Sequence, residues 1–201
     1  MKLLLLHGWG FDASLWDGMR VLLPEFDTVL WDRGYFGPPG CEAPEGEFLA
    51  VGHSLGSLLL ALDPLPRCVG LVAVNGFDRF VGPDRVPARV VARMRERFAV
   101  RPAEVLRDFR MRCGAESAPD IFDHARLSKD LELLADGNAA ASRTATVTVL
   151  HGSDDSLLPA IMRDGVFPNS PRATCPGGGH LLPLTHPHWC ATQVREVMAC
   201  A

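Results

Sequence analysis

The chain lacks most of the features that would mark it as something other than a soluble-type globular domain. No apolar run approaches the roughly 20 residues needed to cross a bilayer. The N-terminus has one basic residue, Lys2, and a short apolar run, but no small-residue cleavage site follows, so a signal peptide is not expected. Six cysteines (Cys41, Cys68, Cys113, Cys175, Cys190 and Cys200) are scattered without a C-x-x-C pair or metal-ligand spacing. They read as reduced thiols of a cytoplasmic protein. The best histidine cluster, His180, His186 and His188, fits no helical or strand ligand pair and has no acidic partner nearby, so no metal is expected. No internal repeat, low-complexity tract or nucleic-acid motif is present, and nothing in the sequence calls for a cofactor.

What is present suits one domain with a substantial core: 201 residues, 47% hydrophobic and 22% charged. The net charge of −4 selects no partner class by itself. Continuous apolar runs at 2–6, 28–32, 48–51, 69–74 and 146–150, with a shorter one at 173–175, read as strands buried on both faces of a parallel sheet.

The stretch that organises the rest is Gly52-His53-Ser54-Leu55-Gly56, set between an apolar strand and an apolar, helix-compatible run. In this G-x-S-x-G pattern a sharp strand-to-helix turn holds the serine hydroxyl above the sheet edge. The glycines leave room for crossing backbone. A serine hydroxyl is a weak nucleophile, so it needs a base, and the base needs an acid to fix its tautomer. Asp155 and His180 follow Ser54 in that order, each just past an expected strand. Asp155 is preferred to Asp154, which has the alternative role of capping the next turn; Asp78 is a lesser candidate for the acid. Ahead of all three lies His7-Gly8-Trp9-Gly10, whose glycines permit close backbone approach, and the N–H groups of Trp9 and Leu55 are the candidate oxyanion donors. The other histidines have structural alternatives: His7 and His151 as hydrogen-bonders at strand ends, His53 beneath the turn, His124 in the helical segment, His186 and His188 as caps.

Between the strands, residues 12–23 carry apolar positions at helical spacing and predict one short helix closed by Pro24. Residues 37–47 are rich in Gly, Pro and Glu and predict a loop where a crossover helix is usual, leaving one flank of the sheet thinly covered. Residues 77–143 show helical segments near 87–98, 102–112 and 127–135, and predict a helical insertion serving as a lid between core segments 1–76 and 144–201.

With these residues in view, the chain resembles the α/β-hydrolase superfamily along most of its length. More narrowly, it resembles the pimeloyl-acyl-carrier-protein methyl ester esterases of biotin synthesis. The H-G-W-G stretch with Trp16, the Ser54 pentapeptide, the Asp155 loop and His180 with His186-Pro187 resemble a longer branch of that activity. Ala73-Val74-Asn75-Gly76, Arg112-Cys113-Gly114 and the missing helix resemble a shorter one. The resemblance implies an α/β-hydrolase fold of about six mostly parallel strands, with Ser54 as nucleophile, His180 as base and Asp155 orienting it. It also implies an acyl carrier protein as partner. Nine arginines against four acids lie between Asp84 and Arg112, and Arg85, Arg89, Arg93 and Arg97 recur every four residues, as one face of a helix would; such a face would steer an acidic partner. A solvated helix face with local ion pairs explains the same arginines, and two other functions fit the sequence: an esterase or thioesterase for free acyl substrates, and a non-catalytic binding protein on the same fold.

Overall fold

A computed structural model describes residues 1–40, 43–140 and 146–200. Six strands, β1 (Lys2–Leu6), β2 (Asp27–Trp31), β3 (Phe48–His53), β4 (Cys68–Val74), β5 (Thr146–Gly152) and β6 (Arg172–Cys175), form one sheet in the order β2-β1-β3-β4-β5-β6. Every neighbouring pair is parallel. The apolar runs are continuous because both faces are covered, and successive residues alternate between them. Leu4, Leu6, Phe48 and Ala50 enter one apolar cluster, while Leu3, Leu5, Leu49 and Val51 enter the other. All four leucines of β1 are fully buried. Truncating any of them to alanine would cost about 2–5 kcal/mol.

On the first face lies α2 (Leu55–Leu62), with α3 (Ala88–Val100), α4 (Pro102–Cys113) and α5 (His124–Asp136) adding Phe98, Leu106 and Leu131 to the same cluster. The second face is covered by α1 (Asp17–Val21), α7 (Leu182–Thr185) and α8 (Pro187–Cys200), through Met19, Leu182, Ala191 and Val194. A further short helix, α6 (Ala160–Gly165), follows the β5 loop.

The single helix expected over 12–23 is two pieces. A 3-10 turn, Ala13–Trp16, precedes α1, and Asp12 starts it by accepting the Ser14 N–H at 2.9 Å. The tighter turn brings Leu15 and Trp16 onto the sheet with Met19. Helix α5 begins earlier than its apolar spacing implied, because Asp123 caps it by accepting the Arg126 N–H at 3.0 Å. Helices α6 and α7 span six and four residues, too few to show a period.

Among the described residues no helix lies between β2 and β3. The loop instead turns back beside the edge strand, where Asp32 and Gly40 exchange backbone hydrogen bonds of 2.7 and 3.1 Å. Edge strand β2 stays partly exposed. Cys41 and Glu42 of this loop lie outside the described residues, as does the expected boundary at 143/144. No helix among the described residues is long and apolar enough to cross a membrane.

Candidate active site

The chain leaves β1 toward β2 on one side and continues from β3 outward on the other. The sheet therefore reverses its winding between β1 and β3, and a crevice opens beyond the carboxyl ends of strands at such a point. The segments after β1, β3, β4, β5 and β6 carry Trp9, Ser54, Asn75, Asp155 and His180, so topology alone gathers these residues at one edge.

Ser54 sits between β3 and α2 with φ 51° and ψ −119°, a backbone conformation that L-residues avoid. The turn holds because its neighbours lack side chains. A Cβ on Gly52 would come within 2.6 Å of the Ser57 nitrogen, and one on Gly56 would strike the carbonyl oxygens of Leu6 and His7. The elbow thus packs directly on the strand that leads into His7-Gly8-Trp9-Gly10. Gly8 abuts the serine itself, since a Cβ there would lie 2.9 Å from Ser54 Cβ.

Asp155 and His180 are both buried, and His180 Nδ1 lies 2.8 Å from Asp155 Oδ2. Burial raises the Asp155 carboxyl, but the His180 ring and the Leu157 and Leu158 N–H donors outweigh it and hold the group at about 2. The carboxylate is ionised at neutral pH and can only accept, so Nδ1 is the donor nitrogen of this pair. His180 Nε2 is buried and has no hydrogen-bond partner among the described residues, the Ser54 hydroxyl included. Asp155 Oδ1 accepts the Leu157 and Leu158 N–H groups at 2.8 and 3.2 Å. The cap expected of Asp154 is therefore made by Asp155; exposed Asp154 accepts from the Ser153 hydroxyl at 2.7 Å. Asp78 is turned elsewhere, accepting the Phe167 N–H at 3.2 Å and facing Arg85 at 3.5 Å.

The Leu55 N–H heads α2, where the first-turn donors have no intrahelical acceptor and the helix dipole favours negative charge. Trp9 has its indole buried as a core aromatic: Nε1–H donates to Leu127 O at 2.9 Å, and the ring meets Phe98 and Phe109 edge-on at 5.6 and 4.8 Å. Its backbone N–H has no acceptor among the described residues. Two residues to which the sequence assigned no role in the site also touch it. Arg110 of α4 donates to Gly10 O at 2.7 Å, and Asn75 donates to Asp155 Oδ2 at 2.6 Å. Asn75 closes an apolar strand beside glycine, which is a visible pattern but one that any turn could explain.

Of the remaining histidines, His7 donates from Nδ1 to Gly8 O at 2.9 Å and accepts the Arg33 N–H on Nε2 at 3.0 Å. His53 lies beneath the turn and donates from Nε2 to His180 O at 2.9 Å; burial lowers its pKa to about 3. His151 donates to Gly76 O at 3.2 Å, and His124 stacks on Phe98. Among the described residues no group of His, Cys, Asp or Glu is placed to hold a metal ion, and Cys68, Cys113, Cys175, Cys190 and Cys200 are free thiols.

The arginine face needs correction. Helix α3 begins at Ala88, so Arg85 lies outside it; its largely buried guanidinium faces Asp78 and donates to Gly165 O at 2.8 Å. Arg97 pairs with Glu104 at 2.8 Å and Asp108 at 3.1 Å. Arg89 and Arg93, without ion pairs among the described residues, line a groove of about 600 Å³ between α3 and α4 with Arg97, Arg112, Met94 and Phe109.

The chain has the α/β-hydrolase fold. An esterase from Exiguobacterium antarcticum superposes on it with a TM-score of 0.78 at 14% identity, covering 98% of this chain and 91% of that one. Two curated relatives, both pimeloyl-[acyl-carrier protein] methyl ester esterases, are more specific. The protein of Aromatoleum aromaticum is 27% identical over 98% of this chain and 97% of its own length, and that of Pectobacterium atrosepticum is 28% identical over 96% and 92%. No family model matches the chain.

Proposed function

We propose that the chain is a serine carboxylesterase that hydrolyses the methyl ester of a pimeloyl group borne on an acyl carrier protein, in biotin synthesis in the cytoplasm. The observation that carries this is the strained Ser54 elbow sharing one sheet edge with a buried His180–Asp155 pair whose Nε2 has no hydrogen-bond partner among the described residues. Ser54 Oγ attacks the ester carbonyl and gives its proton to His180 Nε2, while Asp155 stabilises the imidazolium. The Trp9 and Leu55 N–H groups hold the oxyanion. His180 returns the proton to the departing methoxide, which leaves as methanol. A water then attacks the acyl-serine, again through His180, to give the carboxylate and restore Ser54.

Substrate identity rests on the named relatives and on charge. Helices α3, α4 and α5 serve as the lid, and Arg89 and Arg93, with Arg97 held between its acids, offer the positive rim for an acidic carrier protein. Arg85 drops out of that rim. The pairing of Arg85 and Arg97 favours a second reading, a small esterase for free acyl substrates, because it leaves less free positive charge than the sequence suggested.

The test compares turnover of the methyl ester of pimeloyl-acyl carrier protein with that of a short free ester, for wild type, Ser54→Ala and Arg89→Glu/Arg93→Glu. Preference for the protein-borne ester, abolished by charge reversal while free-ester turnover persists, is expected. Equal turnover of both esters regardless of the arginines establishes the second reading. A chain that turns over neither ester and takes no serine-directed label at Ser54 is a binding protein.

A further inference from the structure

The Asp155 carboxylate has a partner that neither the H-G-W-G stretch nor the three proposed catalytic side chains supply. Asn75 stands immediately after β4, fully buried, with φ 46°. Its Nδ2 is 2.6 Å from Asp155 Oδ2 and 3.0 Å from Gly179 O. Both neighbours are acceptors only, so the NH2 end of the amide must face them. Oδ2 thereby receives two donors, His180 Nδ1 and Asn75 Nδ2, and Oδ1 receives the two loop N–H groups. Four donors fill the acceptor capacity of an ionised carboxylate.

The arrangement has costs that packing alone would not impose. Asn75 Oδ1 is buried with no partner among the described residues. The left-handed backbone is one that glycine adopts freely and other residues resist. Glycine would satisfy the turn but leave Oδ2 with one donor. Aspartate would set a second carboxylate against the first.

We propose that Asn75 is a positioning residue: its single side-chain amide fixes the carboxylate that orients His180 and, through Gly179 O, the backbone that carries His180. This rests on the assignment of Asp155 and His180 proposed above. Other titratable groups acting on Asp155 or acted on by it are His53 at the end of β3, His151 in β5 and Cys113 at the end of α4. Burial lowers the two histidines to about 3 and about 4 and raises the thiol, so none of them changes charge between pH 5 and about 8.

The experiment uses wild type, Asn75→Gly and Asn75→Asp, with p-nitrophenyl butyrate as substrate and a fluorophosphonate to count competent Ser54. Asn75→Gly keeps the backbone and removes the amide; kcat per labelled serine is expected to fall on the order of 10²-fold with KM nearly unchanged. Asn75→Asp sets a second carboxyl against Asp155 Oδ2, where the two cannot both ionise; the shared proton weakens the acceptor for His180 Nδ1–H, and kcat per labelled serine is expected to fall at least as far as in Asn75→Gly. A merely structural role would reduce the labelled fraction and leave kcat per labelled serine unchanged. Wild-type kcat in Asn75→Gly overturns the proposal. If Asn75→Gly does not fold, kcat per labelled serine in Asn75→Asp decides: a fall supports the proposal, a wild-type value overturns it. The low-field proton resonance of His180 Nδ1 gives a readout that needs no substrate. If wild type neither hydrolyses the ester nor takes the label, the esterase assignment falls. The resonance then judges Asn75 alone, a shift in the variants supporting the proposal and an unchanged signal overturning it.

Discussion

Arg110 ties α4 to the loop after β1: its Nη1 donates to Gly10 O at 2.7 Å while its guanidinium lies 4.7 Å from the centre of the Phe11 ring. The same side chain reaches Phe36 at 5.6 Å and donates to Ser117 O at 2.5 Å. One residue thus joins the inserted helices, the β2 loop and the stretch containing the candidate oxyanion donor Trp9. Arg110→Ala leaves the Gly10 carbonyl without this donor and uncovers Phe11, at a cost of about 1–3 kcal/mol. We expect a lower Tm and a lower kcat with the Ser54 label retained, because the loop loosens while Asp155 and His180 keep their bond. Thermal melts and kinetics on a short ester check this; an unchanged kcat would separate the Gly10 loop from catalysis.

Adjacent aspartates make a sharper contrast. Asp155→Asn puts an amide where His180 Nδ1, Asn75 and two loop N–H groups all need an acceptor, so at least one donor faces another donor. The imidazole loses the partner that fixes its tautomer, and kcat is expected to fall by about 10⁴-fold. Asp154→Asn changes an exposed side chain whose one hydrogen-bond partner among the described residues is the Ser153 hydroxyl. Its kcat should match wild type. Steady-state rates of the two variants, measured side by side, test the assignment of the acid.

The six strands and the chain order of Ser54, Asp155 and His180 were legible because burial on both sheet faces writes itself as unbroken apolar runs, and parallel strands place their following loops at one edge. What is settled between distant side chains was not legible. The four-residue recurrence of arginines implied one helical face, yet a helix boundary at Ala88 and the buried Asp78 remove Arg85 from it. Asp154 and Asp155 compete for one cap through backbone geometry that no spacing encodes. Asn75 and Arg110 look like an ordinary turn residue and an ordinary surface arginine until their partners, 80 and 100 positions away, are located.

Stability is expected to decline on acidification well before carboxylates titrate. His53 is neutral in the fold because burial lowers it to about 3, whereas in the unfolded chain it binds a proton near pH 6.5. Between those values the unfolded state holds more protons, so stability falls as pH drops through the window from about 6.5 to about 3. The loss accumulates over that window and amounts to a few kcal/mol, on the order of 1 kcal/mol for each pH unit. Asp155 adds a second loss lower down, from about 4 to about 2, where its carboxylate gains a proton more readily unfolded than folded. Urea unfolding at stepped pH should show a slope beginning near 6.5, and His53→Gln should flatten its upper part. His151, held to about 4 by burial, contributes over the upper part of the same window, so a flat profile down to pH 4 would mean that both histidines are protonated in the fold.

The most costly single break away from the site is expected at Asp130 of α5. Its carboxylate is 1% exposed and accepts from Arg33 at 2.9 and 2.6 Å and from the Tyr35 hydroxyl at 2.5 Å. Arg33 follows β2, so this pair joins the inserted helices to the half-covered edge of the sheet. Burial lowers the Arg33 guanidinium, but Asp130 more than compensates and raises it. Asp130→Ala strands a largely buried guanidinium and a fully buried phenol, and a loss of about 3–5 kcal/mol is expected. Arg33→Met/Asp130→Leu removes both charges but still leaves the Tyr35 hydroxyl without its acceptor. The double variant should therefore recover the part of the loss that comes from the unpaired charge and keep the part that comes from the phenol. A urea double-mutant cycle decides between them: strong coupling means that the pair acts as a unit locking α5 to the β2 loop, and additive losses would mean that Asp130 holds α5 through Tyr35 alone.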